Sequence, residues 1–120
     1  MSLAAGSEQE VCGLLLGQPG HINDILPAEN VAPDPYRYFE LSPATLLEAH
    51  KAARSGGPAI LGHYHSHPGG AAIPSTTDAA SATPDGSLWL IVGGDDARLW
   101  IAGPGEGAEV TFMSAMLDIM

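Results

Sequence analysis

The chain has 120 residues, of which 45% are hydrophobic, and its four Lys and Arg residues are outnumbered by fourteen Asp and Glu residues. This composition predicts a single folded globular domain over residues 1–120. The formal net charge of −10 repels phosphate backbones and argues against a nucleic-acid partner. It keeps the protein soluble or favours a partner with a basic face. No apolar run approaches the roughly 18 residues of a membrane span, so no membrane association is expected.

Two further features bear on the cellular compartment. The N-terminus carries no basic segment followed by an apolar stretch, so no secretory signal is expected. Cys12 is the single cysteine of the chain, so an internal disulfide cannot form. A reducing, cytoplasmic location is therefore expected.

The first third of the chain predicts strands and one long loop. Residues 11–17 are apolar and precede a Gln-Pro-Gly turn, which indicates a buried strand with residues 21–26 as its hairpin partner. Residues 27–35 contain three prolines and are predicted to form a loop. Residues 36–41 are interpreted as a further strand.

The main helix is predicted over residues 43–55. Ser42 suits the N-cap, and Pro43 suits the first helical position because that position needs no backbone N–H donor. Gly56 suits the C-terminal cap, and Lys51 and Arg54 complement the helix dipole in the last turn.

The second half predicts an open sheet. Residues 58–62 form a buried strand that leads directly into a cluster of histidines, and a short helix is expected over about 75–82. Three more strands, near 87–92, 97–102 and 108–113, are joined by short Gly-rich connectors, which favours an antiparallel meander. The predicted fold class is α/β, with a mixed β-sheet and flanking helices.

The candidate chemistry lies at the C-terminal end of the buried strand over residues 58–62. His65 and His67 stand at i and i+2, so on a strand both side chains point to the same face. Seven turn-rich residues then lead to Ser75, and Asp78 follows three positions later. Two imidazoles and a carboxylate leave the fourth position of a tetrahedral zinc ion open for water, as in catalytic rather than structural zinc sites.

Two alternatives bear on this site. His63 faces the same way as His65 and His67, so a three-histidine site has to be considered. However, residues 63 and 67 lie about 13 Å apart on an extended strand. We therefore favour Asp78 as the third ligand, with His63 in a structural or supporting role.

The Ser75-x-x-Asp78 pair also resembles a helix capping box. The cap and the metal role are compatible, because a cap would fix the position of Asp78.

The pattern Glu10…His65-x-His67-x7-Ser75-x2-Asp78 resembles the JAMM (MPN+) zinc metallopeptidases, and in particular their small bacterial-type members. The resemblance extends from about residue 8 to the end of the chain and implies a cytidine-deaminase-like α/β fold. Relatives usually carry a longer helix before the glutamate. Only nine residues precede Glu10 here, so the first helix is expected to be short or incomplete.

The resemblance also implies the roles of the site residues. One Zn²⁺ per chain is held by His65, His67 and Asp78, with water in the fourth position. The catalytic pair is Glu10, as the base that accepts a proton from water, and Ser75, whose hydroxyl donates to the oxyanion. Glu8 competes with Glu10 as the base, and Cys12 is interpreted as a core residue rather than a nucleophile.

The substrate implied by the resemblance is a ubiquitin-like or sulfur-carrier protein, cleaved at a peptide or isopeptide bond after its Gly-Gly terminus. Such a tail can lie extended along a sheet edge. Loop 27–40 is the only sizeable insertion that could shape substrate choice.

Two alternative functions remain open. One is a small-peptide or cell-wall amidase with the same zinc site, and the other is a non-catalytic MPN scaffold. A zinc-deaminase function is excluded because the Pro-Cys-x-x-Cys element is absent. The apolar tail over residues 112–120 is expected to cover either the core or a second subunit, and the oligomeric state is left open.

Overall fold

The computed structural model of the protein describes residues 10–18, 20–34, 39–68, 70–94, 96–104 and 110–115. Six strands and two helices lie within these ranges. They are β1 (Cys12–Gln18), β2 (His21–Ala28), α1 (Pro43–Arg54), β3 (Ala59–Ser66), α2 (Thr76–Ser81), β4 (Leu88–Val92), β5 (Ala97–Pro104) and β6 (Val110–Ala115). Neither described helix is long and apolar enough to span a membrane.

The strands form one mixed sheet in the order β2-β1-β3-β4-β5-β6. Strands β3 and β4 are parallel, and α2 lies in the connection between them, because parallel neighbours require a crossover. Strands β4, β5 and β6 pair antiparallel, which confirms the predicted meander. The mixed sheet and its helices confirm the predicted α/β class.

The β1–β2 hairpin is longer than predicted. Gln18 pairs with His21 across the turn, and the ladder continues to Cys12 opposite Ala28. The predicted end at Leu26 was wrong because Pro27 was assigned to the loop. Proline is tolerated here because β2 is an edge strand, where a missing N–H on the outer side breaks no ladder bond.

The predicted strand over residues 36–41 is not formed in its described part. Residues 36–38 lie outside the described residues, and Leu41 makes one isolated bridge with Asn30. Backbone bonds from Val31 N–H to the Glu40 carbonyl (2.9 Å) and from Ser42 N–H to the Glu29 carbonyl (3.2 Å) flank that bridge. The two ends of the loop are therefore held against each other next to the start of α1.

Helix α1 confirms the predicted helix over residues 43–55 to within one residue. Pro43 occupies its first turn, although the Ser42 side chain makes no capping hydrogen bond. At the other end, the N–H of Gly57 bonds to the Ala52 carbonyl at 2.9 Å. This turn passes through Gly56 at φ +92°, a left-handed conformation that glycine adopts without strain.

The two faces of the sheet have different roles. A buried apolar cluster of Leu15, Tyr64, Leu90 and Leu99 lies on one face. Because side chains alternate along a strand, the neighbours of Tyr64, which are His63 and His65, point to the opposite face. The alternation therefore separates the apolar cluster from the polar groups of the site.

Candidate metal centre

Three side chains converge at the carboxyl end of β3. His65 is its penultimate residue and fully buried, His67 follows the strand directly, and Asp78 is a buried residue of α2. The two imidazole Nε2 atoms lie 3.1 Å apart. Asp78 Oδ2 lies 3.3 Å from His65 Nε2 and 3.1 Å from His67 Nε2. The structure thus brings together the three residues expected to hold a metal.

The donor atoms fit a zinc ion. His67 Nδ1 lies 3.0 Å from the Ala71 carbonyl, so Nδ1 carries the proton and Nε2 presents a lone pair. That lone pair faces His65 Nε2 and Asp78 Oδ2, which can also act as electron-pair donors. A cation bound between the three atoms would interact favourably with all of them. Zinc bonds of about 2.0–2.1 Å in tetrahedral geometry place ligand atoms about 3.3 Å apart, close to the separations found here.

A capping box places Asp78. Its Oδ2 accepts a hydrogen bond from the Ser75 N–H at 2.9 Å, and its own N–H donates to Ser75 Oγ at 3.1 Å. Burial alone would raise the pKa of Asp78, but the neighbouring imidazoles of His65 and His67, together with the Ser75 N–H, hold that pKa below its usual range. Asp78 is therefore ionised, as a zinc ligand must be, and the cap and a metal role coexist.

The capping role leaves the Ser75 hydroxyl proton free. Oγ accepts from Asp78 N–H through a lone pair, and the hydroxyl donates to no group in the described part of the chain. Ser75 itself is exposed to solvent. Its hydroxyl can therefore donate a hydrogen bond to a bound substrate without disturbing α2.

Glu10 lies beside the cluster and is only 7% exposed. Ligand atoms of Glu10, His65 and His67 all lie within 4.8 Å of one another. Burial raises the pKa of Glu10 to about 7; the nearby His67 opposes this shift and Asp78 adds to it. A carboxyl group that titrates near neutral pH can both accept and return a proton. Glu8, the alternative base, lies outside the described residues.

An aromatic contact that no local sequence pattern indicates fixes the ring of His65. The Phe39 ring stacks on His65 with centroids 4.2 Å apart and planes at 14°. Nδ1 of His65 is buried without a hydrogen-bond partner among the described residues. Stacking, rather than the usual hydrogen bond to the second nitrogen, therefore orients this imidazole.

His63 packs away from the three converging atoms. Its ring lies 4.3 Å from Trp89 in an edge-on contact and 5.2 Å from Phe39. Its Nε2 is buried with no hydrogen-bond partner in the described ranges. Burial lowers the pKa of His63 to about 3, with a further contribution from His65. The geometry thus brings Asp78 to the Nε2 atoms of His65 and His67, whereas His63 contacts His65 through its ring, at a centroid separation of 5.5 Å.

We expect His63 to make the metal-free protein less stable in acid. The unfolded chain protonates His63 below its ordinary pKa of about 6.5, whereas the folded imidazole stays neutral down to about pH 3. The free energy of unfolding therefore falls as the pH drops from 7 towards 3, by about 2 kcal/mol between pH 7 and 5. His63→Phe should remove that loss, as measured by urea unfolding of both proteins in chelator at the two pH values. An equal loss in both would contradict the neutral, buried state of His63.

The loop between His67 and Ser75 is held by contacts that sequence analysis missed. Three successive carbonyls each accept one hydrogen bond of 3.0 Å. The donors are Gly94 N–H to Gly70, His67 Nδ1 to Ala71, and the Trp100 indole N–H to Ala72. The Trp100 hydrogen bond spans 28 residues and depends on the position of β5, so no local pattern could reveal it.

Cys12 has the environment of a core residue, as predicted. It is 2% exposed, and its Sγ lies 3.8 Å from the Ala28 carbonyl. Burial, reinforced by Glu10, raises the pKa of the thiol to about 11. The thiol is therefore protonated at neutral pH and unsuited to act as a nucleophile.

Comparison with known proteins places the chain in a family. The family described as prokaryotic homologs of the JAB domain matches residues 2–103. The desampylase of Haloferax volcanii is 36% identical over 88 residues, covering 72% of this chain and 63% of that protein. A probable TtuB-protein conjugate cleaving protease of Thermus thermophilus is 34% identical over 108 residues, covering 88% and 68%. The matches thus span about two thirds of these relatives.

Two solved structures share the fold. The solution structure of a protein from Desulfitobacterium hafniense superposes with a TM-score of 0.72 at 26% identity, covering 92% of this chain and 80% of that one. A solution structure from Salinibacter ruber gives 0.61 at 30% identity, covering 92% and 77%. With the match over residues 2–103, the chain therefore belongs to the prokaryotic JAB domain family, which confirms the JAMM/MPN resemblance of its histidine motif.

Proposed function

We propose that this protein is a zinc-dependent hydrolase that releases a ubiquitin-like or sulfur-carrier protein from its conjugates by cleaving the peptide or isopeptide bond after a Gly-Gly terminus. The observation that carries the proposal is the convergence of His65, His67 and Asp78 within 3.1–3.3 Å beside the buried Glu10 carboxylate. The relatives named as a desampylase and a conjugate cleaving protease support the substrate class.

The three converging side chains would hold the zinc ion, and Glu10 lies next to them. Bound there, zinc would make water nucleophilic near neutral pH and polarise the scissile carbonyl. The Ala71 carbonyl keeps the proton of His67 on Nδ1, so that Nε2 stays available as a ligand. The buried position of His65 and Asp78 excludes competing solvent from two of the three ligands.

Glu10 moves the protons of the reaction. Its carboxylate accepts a proton from the attacking water as the carbonyl carbon becomes tetrahedral. It then returns that proton to the amine that leaves when the C–N bond breaks. Burial raises the pKa of Glu10 to about 7 in the metal-free protein, and this upward shift opposes the lowering that a bound cation would cause. General acid–base catalysis works best when the pKa lies near the operating pH.

Ser75 stabilises the charge that develops on the carbonyl oxygen. Its hydroxyl donates to the oxyanion while its lone pair remains engaged with the Asp78 N–H at 3.1 Å. The capping box pre-orients this donor, so little reorganisation accompanies the reaction. No covalent intermediate with the protein forms in this scheme.

The pairing of β3 limits how a substrate tail can approach the histidines. β3 pairs with β1 on one side and β4 on the other, so it offers no free edge. The free edges of the described sheet are β2 and β6. Strand addition along β3 is therefore excluded, and we propose that the tail reaches the site from beyond the carboxyl end of β3, where His65 and His67 lie. Glycine residues suit this approach because they lack side chains.

A substrate series tests the proposal. The zinc-loaded protein should cleave a carrier-protein fusion, and replacing the penultimate Gly of the carrier by Val should lower kcat/KM by about 100-fold or more. The reason is that a branched side chain close to the scissile bond displaces the carbonyl, and a misplacement of about 1 Å can cost about 100-fold. A short peptide with the same cleavage sequence, measured in the same way, shows how much the folded carrier protein contributes to kcat/KM.

The outcomes of this series separate the three candidate functions. Equal cleavage of the bare peptide and the fusion would identify a partner-independent amidase. Binding of the fusion without cleavage, in zinc-loaded protein, would identify a scaffold. Equal turnover of the Gly and Val fusions would contradict Gly-Gly specificity while leaving the hydrolase intact.

A further inference from the structure

Ser66, which lies between the two histidines, ties β3 to the chain next to Glu10. It is fully buried, and alternation along β3 turns its side chain away from the face of His65. Its N–H donates to the Val11 carbonyl at 3.0 Å, and its Oγ accepts from the Val11 N–H at 2.9 Å. Both backbone groups of Val11 are thus held by one residue.

Asn30 ties the other side of the same segment to the loop. Its Nδ2 donates to the Glu10 carbonyl at 2.7 Å. Its Oδ1 accepts from the N–H groups of Ala32 and Glu40, both at 3.1 Å. The Asn30 amide therefore links Glu10 to residues near both ends of the loop that the Asn30–Leu41 bridge closes.

These contacts matter because Glu10 lies beyond the regular ladder. The pairing of β1 with β3 begins at Cys12 opposite His65, two residues after Glu10. The sheet therefore fixes His65 but does not by itself fix the backbone of Glu10. Three hydrogen bonds from Ser66 and Asn30 hold residues 10 and 11 instead, and none of them involves a metal-facing atom or the Glu10 carboxylate.

We propose that Ser66 and Asn30 are positioning residues that set the place of the Glu10 carboxylate relative to His65 and His67. This inference rests on the proposed function, in which Glu10 is the base. A base displaced by about 1 Å loses about 100-fold in rate even when every ligand and substrate contact survives. Because neither residue contacts the ligand atoms, zinc affinity should be independent of both.

Two substitutions isolate the effect. Ser66→Ala removes the acceptor for Val11 N–H and leaves the backbone bond. Asn30→Asp is isosteric, keeps the acceptor for Ala32 and Glu40, and places a carboxylate oxygen against the Glu10 carbonyl. The matched control is Asn23→Asp, which makes the same charge change at an exposed position of β2.

We expect Ser66→Ala and Asn30→Asp to lower kcat by about 10- to 100-fold, with KM and zinc affinity within about twofold of the control. Zinc affinity is measured by competition with a chromophoric chelator. Faster amide exchange at Val11 in Ser66→Ala would verify that its hydrogen bond is lost. In the Glu10→Gln background neither substitution should lower the residual rate further, because the group they position is gone.

A crystal structure of each zinc-loaded variant gives a readout that does not depend on activity. The inference predicts that the Glu10 carboxylate shifts while His65, His67 and Asp78 stay in place. A carboxylate that remains in place, or a loss of kcat matched by loss of zinc, would overturn the positioning role. An inactive wild-type protein, with the shift still present in the variants, would instead overturn the proposed function and leave the positioning role supported.

Discussion

Glu10→Gln is expected to lower the rate of hydrolysis by about 10²- to 10⁴-fold and to leave zinc binding intact. Glutamine has almost the same volume and can occupy the same buried position, but its amide cannot accept the proton of the attacking water. General-base catalysis contributes about 10²- to 10⁴-fold, and we expect a loss of this size in kcat. The measurement is kcat on the carrier-protein fusion, together with metal analysis of the same preparation.

The pH dependence of the wild-type protein should report the same group. Burial raises the pKa of Glu10 to about 7, with His67 lowering and Asp78 raising it. A protonated carboxyl cannot act as a base, so kcat/KM should fall as the pH drops through this pKa. A bound cation lowers the pKa, which places the acid limb of the zinc-loaded protein at or below pH 7. The kcat/KM of Glu10→Gln should not show this decrease at acidic pH.

Glu8→Gln is the matched control for the base, since Glu8 lies two residues earlier and carries the same side chain. We expect it to retain wild-type activity. An inactive Glu8→Gln with an active Glu10→Gln would show that the motif had been aligned to the wrong glutamate.

The parts of the site that the sequence predicted follow short-range rules. His65 and His67 share a face because strand side chains alternate, and Asp78 is placed by a capping box that closes over three residues. Helix α1 was predicted for the same reason, since its first and last turns carry their own signals. In each case the information lies within a few residues of the element concerned.

The contacts that the sequence did not predict join distant segments. The Ser66 hydroxyl reaches Val11 across 55 residues, Trp100 reaches Ala72 across 28, and Asn30 reaches Glu10 across 20. These contacts depend on strand order, which local periodicity does not specify. The pairing of β3 with β1 and β4, which leaves no edge for strand addition beside the histidines, likewise depends on strand order.

Removing one of the three converging side chains is expected to abolish tight zinc binding. Losing an outer partner of a metal ligand already lowers affinity by about 10- to 100-fold, so His67→Ala and Asp78→Asn should each lower it by more than about 100-fold. Asn preserves an oxygen for the Ser75 N–H bond at 2.9 Å. It therefore keeps α2 capped while removing the charge that a zinc ligand supplies.

His63→Phe is the matched control for the histidines. It removes an imidazole two residues from His65 but keeps an aromatic ring against Trp89, whose centroid lies 4.3 Å away. We expect this variant to bind one zinc per chain with wild-type affinity, as measured by elemental analysis and chelator competition. Loss of zinc from His63→Phe, with retention in Asp78→Asn, would replace the proposed ligand set by three histidines.

Acid should weaken zinc binding through the same side chains. Zinc binds the neutral imidazole, so a proton on either histidine competes with the metal. The hydrogen bond to Asp78 raises the pKa of His67, whereas burial lowers that of His65. Proton competition therefore begins at His67, and affinity should decline as the pH falls towards and below the ordinary imidazole pKa of about 6.5. An affinity that stays constant from pH 7 to 5, or equal zinc in wild type and His67→Ala, would remove His67 from the ligand set.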